Sequence, residues 1–198
     1  MTVVRPYRGV SAEQRRAERR ELLVEACREI VGRDGLAATT VGSVCEQAGL
    51  TKRYFYESFT DLDAILLENL DDLLATVRAR ILDALAPLGP DPVPRAHATI
   101  AELVTAMTED PRRARLYVES SGHRRLRARL EEAYDAYAEL WTGDVLGLAE
   151  PSAHRRLDAL HHVAGTTQVV VSWLQGTVAL DREELIAELA QLGLRPGR

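Results

Sequence analysis

Cysteine, aromatic residues and long apolar runs are all scarce in this chain of 198 residues. The two cysteines, Cys27 and Cys45, lack CxxC spacing and lie among apolar residues, which indicates reduced core positions rather than a disulfide scaffold. Aromatic residues make up only 5%, whereas Ala and Leu abound, and this composition favours helices over strands. Apolar runs stay below the roughly 18 residues that cross a bilayer, and no signal peptide is recognisable. We therefore expect an all-α protein of the cytoplasm.

The formal net charge of −5 is unevenly distributed along the chain. Residues 1–60 carry ten Lys and Arg against eight Asp and Glu, whereas residues 61–198 carry fifteen against twenty-two. The N-terminal part is therefore the basic one, and Lys52 is the only lysine of the sequence. Clustered positive charge of this kind favours a local interaction with phosphates. The clusters comprise Arg15, Arg16, Arg19, Arg20, Lys52 and Arg53.

Apolar residues at helical spacing, interrupted by Gly and Pro, predict nine helices. We expect them over about 13–34, 41–48, 52–59, 62–86, 94–108, 110–120, 123–147, 152–176 and 181–193. Residues 1–12 show no periodicity and predict a flexible arm. The proline-rich stretch 87–94 is the clearest break between helices. The predicted N-caps are Thr40, Thr51, Thr60 or Asp61, Ser152 and Asp181.

Residues 41–59 have the spacing that a helix-turn-helix requires. Cys45 supplies a small side chain where two helices would cross closely, and Gly49 supplies the turn four residues later. Apolar residues between the two helices would form a small core, namely Val44, Ala48, Leu50 and Phe55. Two short amphipathic helices joined at a glycine also occur in many other helical proteins. Spacing alone therefore leaves open whether this segment binds DNA.

A longer series of fixed spacings runs through Thr40-Val41, Val44, Ala48-Gly49-Leu50-Thr51, Tyr56, Phe59 and Ile65. This series resembles the N-terminal domain of the TetR family of bacterial transcriptional regulators, over about residues 15–66. Two positions depart from the family pattern. Cys45 replaces an alanine, and Leu62 replaces a lysine that commonly contacts a phosphate in the family. The resemblance implies a nine-helix, two-domain TetR-like fold with a helix-turn-helix domain over 13–60 and an effector-binding and dimerisation domain over 61–198.

The resemblance also implies that the third helix enters the major groove of operator DNA. Side chains at the start of a recognition helix reach base edges, where Lys and Arg donate to guanine O6 and N7. We expect specificity from Thr51, Lys52, Arg53 and Tyr54. Thr40 and Tyr56 match family residues that contact the DNA backbone, and an anion is favoured at a helix N-terminus such as that at Thr40.

The arginines at the start of the first helix form a weaker candidate for DNA contact. In the family this end often lies near the phosphate backbone, which implies non-specific, salt-dependent affinity. The candidates are Arg15, Arg16 and Arg19. A solvated helix face, with Glu18 and Glu21 pairing with the arginines, explains the same pattern equally well.

One recognition helix reads only a few base pairs, so a twofold dimer that reads two half-sites is expected. The resemblance implies that the last two helices of each subunit form a four-helix bundle across the twofold axis. The predicted interface residues are Leu157, Leu160, Val163, Ala164, Val170, Val171, Leu174, Leu185, Ile186, Leu189 and Leu192. If both apolar stripes are buried within one subunit instead, the protein is a monomer.

An effector cavity between the fourth and eighth helices is a further implication of the resemblance. Amphipathic residues in otherwise aliphatic helices are its candidates, because ligand sites are mostly apolar with a few orienting groups. They are Tyr117, Tyr134, Tyr137, Trp141, Gln168 and Trp173. Ordinary core packing of aromatic residues explains them equally well. The expected function is a transcriptional repressor that a small-molecule effector releases from its operator.

Two other function classes are consistent with parts of the sequence. One is a helical scaffold or adaptor that does not bind DNA. The other is a small enzyme that uses His161 or His162, with His123 and His154 as further candidates. The sequence lacks HExxH, a Gly-rich phosphate loop and a nucleophile motif, so we expect no enzymatic activity, no cofactor and no metal. His161 and His162 are expected to be polar groups of an interface or a pocket.

Overall fold

The computed structural model describes residues 11–195, and every regular element in that range is helical. The helices are α1 Ala12–Asp34, α2 Val41–Ala48, α3 Lys52–Ser58, α4 Leu62–Leu85, α5 Pro92–Glu109, α6 Pro111–Ser120, α7 Arg124–Leu140, α8 Ala153–Leu174 and α9 Arg182–Leu194. A short 3-10 turn, Leu36–Ala38, follows α1, and a π-helical turn, Trp141–Val145, continues α7. The prediction of an all-α, nine-helix chain is confirmed for these residues. The predicted arm over 1–12 lies outside them, except that Ser11 and Ala12 begin α1.

Short polar side chains cap most of the helix starts, as the sequence predicts. The side-chain oxygens of Thr40, Asp61 and Asp181 accept hydrogen bonds of 2.8–3.1 Å from backbone N–H groups in the first turn. Such caps satisfy donors that have no partner inside the helix. Thr51 is the exception, because it occupies the N-cap position of α3 without a side-chain cap bond. The predicted N-cap position of Thr51 is therefore confirmed, although its side chain makes no capping bond.

The fifth and seventh helices differ from the prediction at one end each. Helix α5 begins at Pro92, two residues earlier than expected, because Asp91 accepts a 3.0 Å hydrogen bond from the Val93 N–H. Proline in a first turn removes a donor that would have no helical partner in any case. Helix α7 ends at Leu140, where the π-helical turn takes over.

One continuous apolar core joins the N-terminal helices to the C-terminal ones. Leu23, Val44 and Phe55 are fully buried where α1, α2 and α3 meet. Both cysteines are free and buried, as predicted, and burial raises the pKa of the Cys27 thiol to about 12. Helix α4 extends the core toward the C-terminal helices, in which α9 packs mainly on α5 and α8 packs mainly on α7. No helix within residues 11–195 is long and apolar enough to cross a membrane.

Helix α6 connects the two parts of the molecule through polar contacts with the end of α1. Arg112 pairs with Glu25 at 2.7 Å, and Arg115 donates to the Arg33 carbonyl oxygen at 2.8 Å. The Glu119 carboxylate accepts a 2.7 Å hydrogen bond from the backbone N–H that follows α1 by two residues. Several charged hydrogen bonds therefore fix the N-terminal helices against α6.

Candidate functional site

Helix α3 divides its side chains between the core and an open surface. Phe55 is fully buried against α1 and α2, whereas Tyr56 leaves 59% of its surface exposed. Lys52, Arg53 and Tyr54 are also exposed, as is Thr51 immediately before the helix. The side chains predicted to read DNA thus share the exposed start of one helix, while Phe55 holds the opposite face of that helix in the core. We call the exposed residues 51–54 and 56 the α3 surface.

The turn between α2 and α3 depends on Gly49. Its φ of 64° lies in the left-handed region, where a side chain is disfavoured. The following Leu50 N–H donates to the Cys45 carbonyl oxygen at 2.9 Å, which closes the end of α2. Cys45 is buried between the helices, as its small size predicts. This turn sets the angle at which α3 crosses α2 and presents the α3 surface.

Arginines of α1 contact α3 directly. Arg16 donates to the Glu57 carbonyl oxygen, and the Arg19 guanidinium lies 4.6 Å from the centre of the Tyr54 ring. The Glu57 carboxylate lies 3.1 Å from Arg53 and 3.9 Å from Arg19. Cation–π and ion-pair contacts of this kind stabilise the orientation of exposed side chains. The arginines expected to meet phosphates therefore also position the α3 surface, and their contact with DNA stays a prediction, as it does for Arg15.

The two positions flanking the helix-turn-helix have clear local environments. Thr40 is exposed at the start of α2, where its hydroxyl oxygen accepts from the Ser43 N–H at 3.1 Å. This places it beside the positive end of the α2 dipole, which favours an anion. Leu62 begins α4 and packs, half-buried, against the apolar core. Its side chain therefore has a packing role at the place where the family pattern has a lysine.

A cavity of about 60 Å³ lies among α4, α5, α6, α7 and α8. Four of the six predicted effector residues line it: Tyr117, Tyr134, Tyr137 and Trp141. The other two do not line it. Gln168 is exposed on α8, and Trp173 turns away so that its indole N–H donates to the Leu180 carbonyl oxygen at 2.9 Å. The remaining lining consists of Leu74, Val77, Ile81, Thr99, Ile100, Leu103, Met107, Leu130, Ala133, Leu140, His162, Val163, Thr166 and Thr167.

Most hydroxyl groups of the cavity wall are already hydrogen-bonded within the protein. Tyr137 donates to the Leu74 carbonyl oxygen at 2.8 Å, and Thr99 donates to the Arg95 carbonyl oxygen at 2.9 Å. Burial raises the pKa of the Tyr117 hydroxyl, opposed by a side-chain hydrogen bond with Thr167. Burial likewise raises the pKa of Tyr137. These phenols are therefore neutral at physiological pH.

His162 is the most strongly perturbed group of the wall. Burial lowers its pKa to about 4, with a smaller contribution from neighbouring His161. Its ring lies 4.3 Å from the Trp141 ring, and its Nδ1 lies 3.4 Å from the Thr166 hydroxyl. Its Nε2 is buried without a hydrogen-bond partner among residues 11–195. Helix α9 approaches so closely here that a methyl group on Gly193 would collide with both rings.

The sequence carried one signal for this part of the wall that the prediction did not use. Four lining residues of α8 lie at 162, 163, 166 and 167, which is the spacing of one helix face. Gln168 and His161 fall outside that face and are exposed. The choice of Gln168 followed residue type rather than helical spacing, and the spacing would have excluded it.

The predicted dimer residues divide into buried and exposed groups. Leu157 keeps 65% of its surface exposed and Leu160 keeps 37%, so both remain candidates for an interface. Ala164, Val171 and Leu174 are half-buried. The other predicted residues are less accessible to a second subunit, because Val163 lines the cavity and the remaining four side chains are covered by their own subunit. Those four are Val170, Leu185, Ile186 and Leu189. Leu192 of α9, also predicted for the interface, is exposed and remains a candidate as well.

The histidines considered for an enzyme or metal site are dispersed. His154 and His161 are exposed on α8, and His123 pairs with Asp63 at 3.3 Å. Within residues 11–195, no three His, Cys, Asp or Glu side chains are grouped closely enough to hold a metal ion.

Comparison with solved structures identifies the architecture. The chain superposes on a TetR family transcription regulator from Marinobacter aquaeolei VT8 with a TM-score of 0.61 and 22% identity, covering 91% of this chain and 96% of that one. It also superposes on a TetR-like transcriptional regulator from Rhodococcus sp. RHA1, with a TM-score of 0.65 and 16% identity over 89% and 94% of the two chains. The chain has the TetR-family fold.

A third structure with this fold is the fatty acid degradation regulator FadR from Bacillus halodurans. Its TM-score is 0.69 at 16% identity, covering 89% of this chain and 94% of that one. No protein-family model matches the sequence, and no curated protein matches it. The TetR-family fold is thus shared at low sequence identity, and the residues of each site have to carry the functional argument.

Proposed function

We propose that this chain is a TetR-family transcriptional regulator of the cytoplasm. Residues 13–60 bind operator DNA through the α3 surface, and residues 61–198 dimerise and bind an effector. The observation that carries the proposal is the arrangement of α3, in which Phe55 is buried while Lys52, Arg53 and Tyr56 are open to a partner. A recognition helix requires this division, because one face must be held rigidly while the other enters the groove.

The charge of the surface around α3 also supports DNA binding. Thr40 lies at the positive end of α2, and the arginines of α1 lie beside α3. These groups would contact phosphates and fix the register of the protein, while Lys52 and Arg53 contact base edges. The neighbours from Marinobacter aquaeolei and Rhodococcus are themselves described as transcriptional regulators.

Selection of bound sequences from a random duplex pool tests DNA recognition. We expect an enriched site with twofold symmetry, whose half-sites lie about one helical turn apart or a multiple of it. Lys52→Ala with Arg53→Ala should abolish the enrichment, because both base-edge donors are removed. The matched control is Arg124→Ala with Arg127→Ala, which removes two exposed arginines of α7 far from α3 in the sequence. Selection without an enriched sequence, or equal losses in both double variants, would contradict the proposal.

Light scattering tests the homodimer. The chain of 21.9 kDa should give about twice that mass at micromolar concentration. Leu160→Arg should produce the monomer, because burying an unpaired charge in an interface costs several kcal/mol. The control is Leu180→Arg, which places the same charge at an exposed leucine outside α8 and α9. A monomeric parent protein would remove the dimer from the proposal.

Repression with release by an effector is the regulatory mode that we propose. The cavity supports it because Tyr117 projects into the cavity from α6, the helix whose Arg112 and Arg115 hold the end of α1. A ligand that displaces Tyr117 would act on the helix that fixes the DNA-binding head. In a transcription assay, loss of repression on effector addition would support this mode, and activation by the effector would contradict it.

A further inference from the structure

The wall of the cavity carries no formal charge at physiological pH. Among the described residues, its lining contains three tyrosines, three threonines, one tryptophan and one histidine but no Asp, Glu, Lys or Arg. Burial lowers the pKa of His162 to about 4 and raises the pKa of Tyr117, Tyr134 and Tyr137. All four titratable groups are therefore neutral at pH 7.

A charged ligand would find no partner in such a wall. Transfer of an ion out of water without a counter-charge is strongly unfavourable, and most lining hydroxyls already bond within the protein. Hydrogen bonding by the wall is limited to its tyrosine and threonine hydroxyls and to His162, whose buried Nε2 lies against Gly193 of α9. Aliphatic and aromatic carbon forms the rest of the surface.

From this chemistry we propose that the cavity binds an uncharged, mainly apolar small molecule with one or two hydrogen-bonding groups, such as a hydroxyl. This ligand class deepens the proposed regulatory function and rests on it for its biological meaning. A carboxylate, a phosphate ester and an ammonium compound are all excluded as ligands of this site.

The small size of the cavity means that a ligand must displace side chains of its wall. Its volume of about 60 Å³ exceeds the roughly 10–15 Å³ that one water needs, but it is below the roughly 150 Å³ of a cavity that takes benzene. A ring-sized ligand must therefore push side chains outward. Met107 adapts easily because its side chain is unbranched and flexible. Tyr117 is the lining residue of α6, so its displacement acts on the helix that contacts α1.

Two sets of isosteric probes test the ligand class on the full chain without DNA. The ring set is benzyl alcohol, benzoate and benzylammonium, and the chain set is 1-octanol, octanoate and octylammonium. Binding is measured by calorimetry at pH 7 and by the rise in melting temperature that a ligand of the folded state produces. We expect at least one neutral member to bind at least about tenfold more tightly than its charged isosteres. Equal binding within each set, or no binding by either neutral probe, would overturn the proposal.

A matched pair of variants locates the binding. Ala133 lines the cavity, whereas Ala136 lies three residues along the same helix and is exposed. Ala133→Leu should weaken the neutral probe at least about tenfold by filling the cavity, and Ala136→Leu should leave its affinity within about twofold. Unchanged binding in Ala133→Leu would overturn the assignment to this cavity.

Overpacking at Ala133 can also destabilise the fold, so a second variant enlarges the cavity instead. Leu103→Ala removes a half-buried lining side chain and should tighten binding of the ring probe by about threefold or more. Weaker binding in this variant would count against the site. Because these measurements need no DNA, neutral selectivity without any operator binding would overturn the proposed function while leaving the ligand class intact.

Discussion

The α3 surface and the cavity place their polar groups in opposite ways. The α3 surface takes its five side chains from residues 51–54 and 56, and presents them to solvent with two positive charges. The cavity takes its lining from five helices between residues 74 and 167, and it encloses neutral groups. The first arrangement suits a large polyanion that approaches from outside, and the second suits a small molecule that must leave water. The two surfaces thus differ in both charge and burial.

Removal of the anchor under α3 should give the largest effect. Phe55→Ala deletes a fully buried ring between α1 and α2, which should cost about 3–5 kcal/mol of unfolding free energy. Tyr56→Ala removes an exposed ring from the adjacent position and should cost less than about 1 kcal/mol. Urea unfolding of both variants checks the difference. Equal losses would show that α3 lacks the separation between a buried anchor and an open surface.

Acid should lower the unfolding free energy of the protein through protonation of His162. Its pKa in the folded protein, about 4, lies below the ordinary value of 6.5, so the folded state binds fewer protons between these values. Stability is therefore lost as the pH falls from about 6.5 to 4. His162→Gln should remove about 1–3 kcal/mol of this loss, after allowance for partial exposure.

The adjacent histidine provides the control for that measurement. His161 is exposed, so His161→Gln should keep the pH dependence of the parent protein. Unfolding free energies of both variants at pH 7 and pH 4 are compared, because carboxylates contribute equally to each. A parent-like pH dependence in His162→Gln would contradict the buried, neutral state of this imidazole.

The smallest effect is expected where α1 steadies the α3 surface. Arg19→Met removes the cation over the Tyr54 ring and the pairing with Glu57, which should cost about 0.5–1 kcal/mol of operator affinity. If Arg19 acts mainly by positioning Tyr54, the affinity lost should depend weakly on salt and base preference near Tyr54 should broaden. A loss that grows steeply at low salt, with unchanged base preference, would assign Arg19 to phosphate binding instead.

The same contrast explains what the sequence predicted well. The helix-turn-helix lies within 20 residues, and its turn, cap and anchor are local consequences of Gly49, Thr40 and Phe55. The lining of the cavity depends on which faces of five helices meet, and this packing cannot be predicted from residue type alone. Trp173 was predicted from its residue type, and it does not line the cavity.

The dimer interface stays a prediction, and the sequence defined it poorly for a related reason. The apolar stripe of α9 satisfies the pattern of an interface, but Leu185, Ile186 and Leu189 are buried in their own subunit, where α9 packs on α5. An apolar stripe predicts burial without specifying its partner. The exposed Leu157 and Leu160 were distinguishable from the buried residues only once neighbouring helices were in place.

The central claim is that the start of α3 reads bases while Tyr56 contacts the DNA backbone. Binding of Lys52→Ala and Tyr56→Phe to the selected duplex and to a scrambled duplex, at one fixed salt concentration, tests it most directly. Lys52→Ala should lose about 1–3 kcal/mol on the selected duplex, lose less on the scrambled one, and relax base preference at one position in each half-site. Tyr56→Phe should weaken both duplexes by a similar factor with base preference unchanged. Altered base preference in Tyr56→Phe together with unchanged preference in Lys52→Ala would contradict the account.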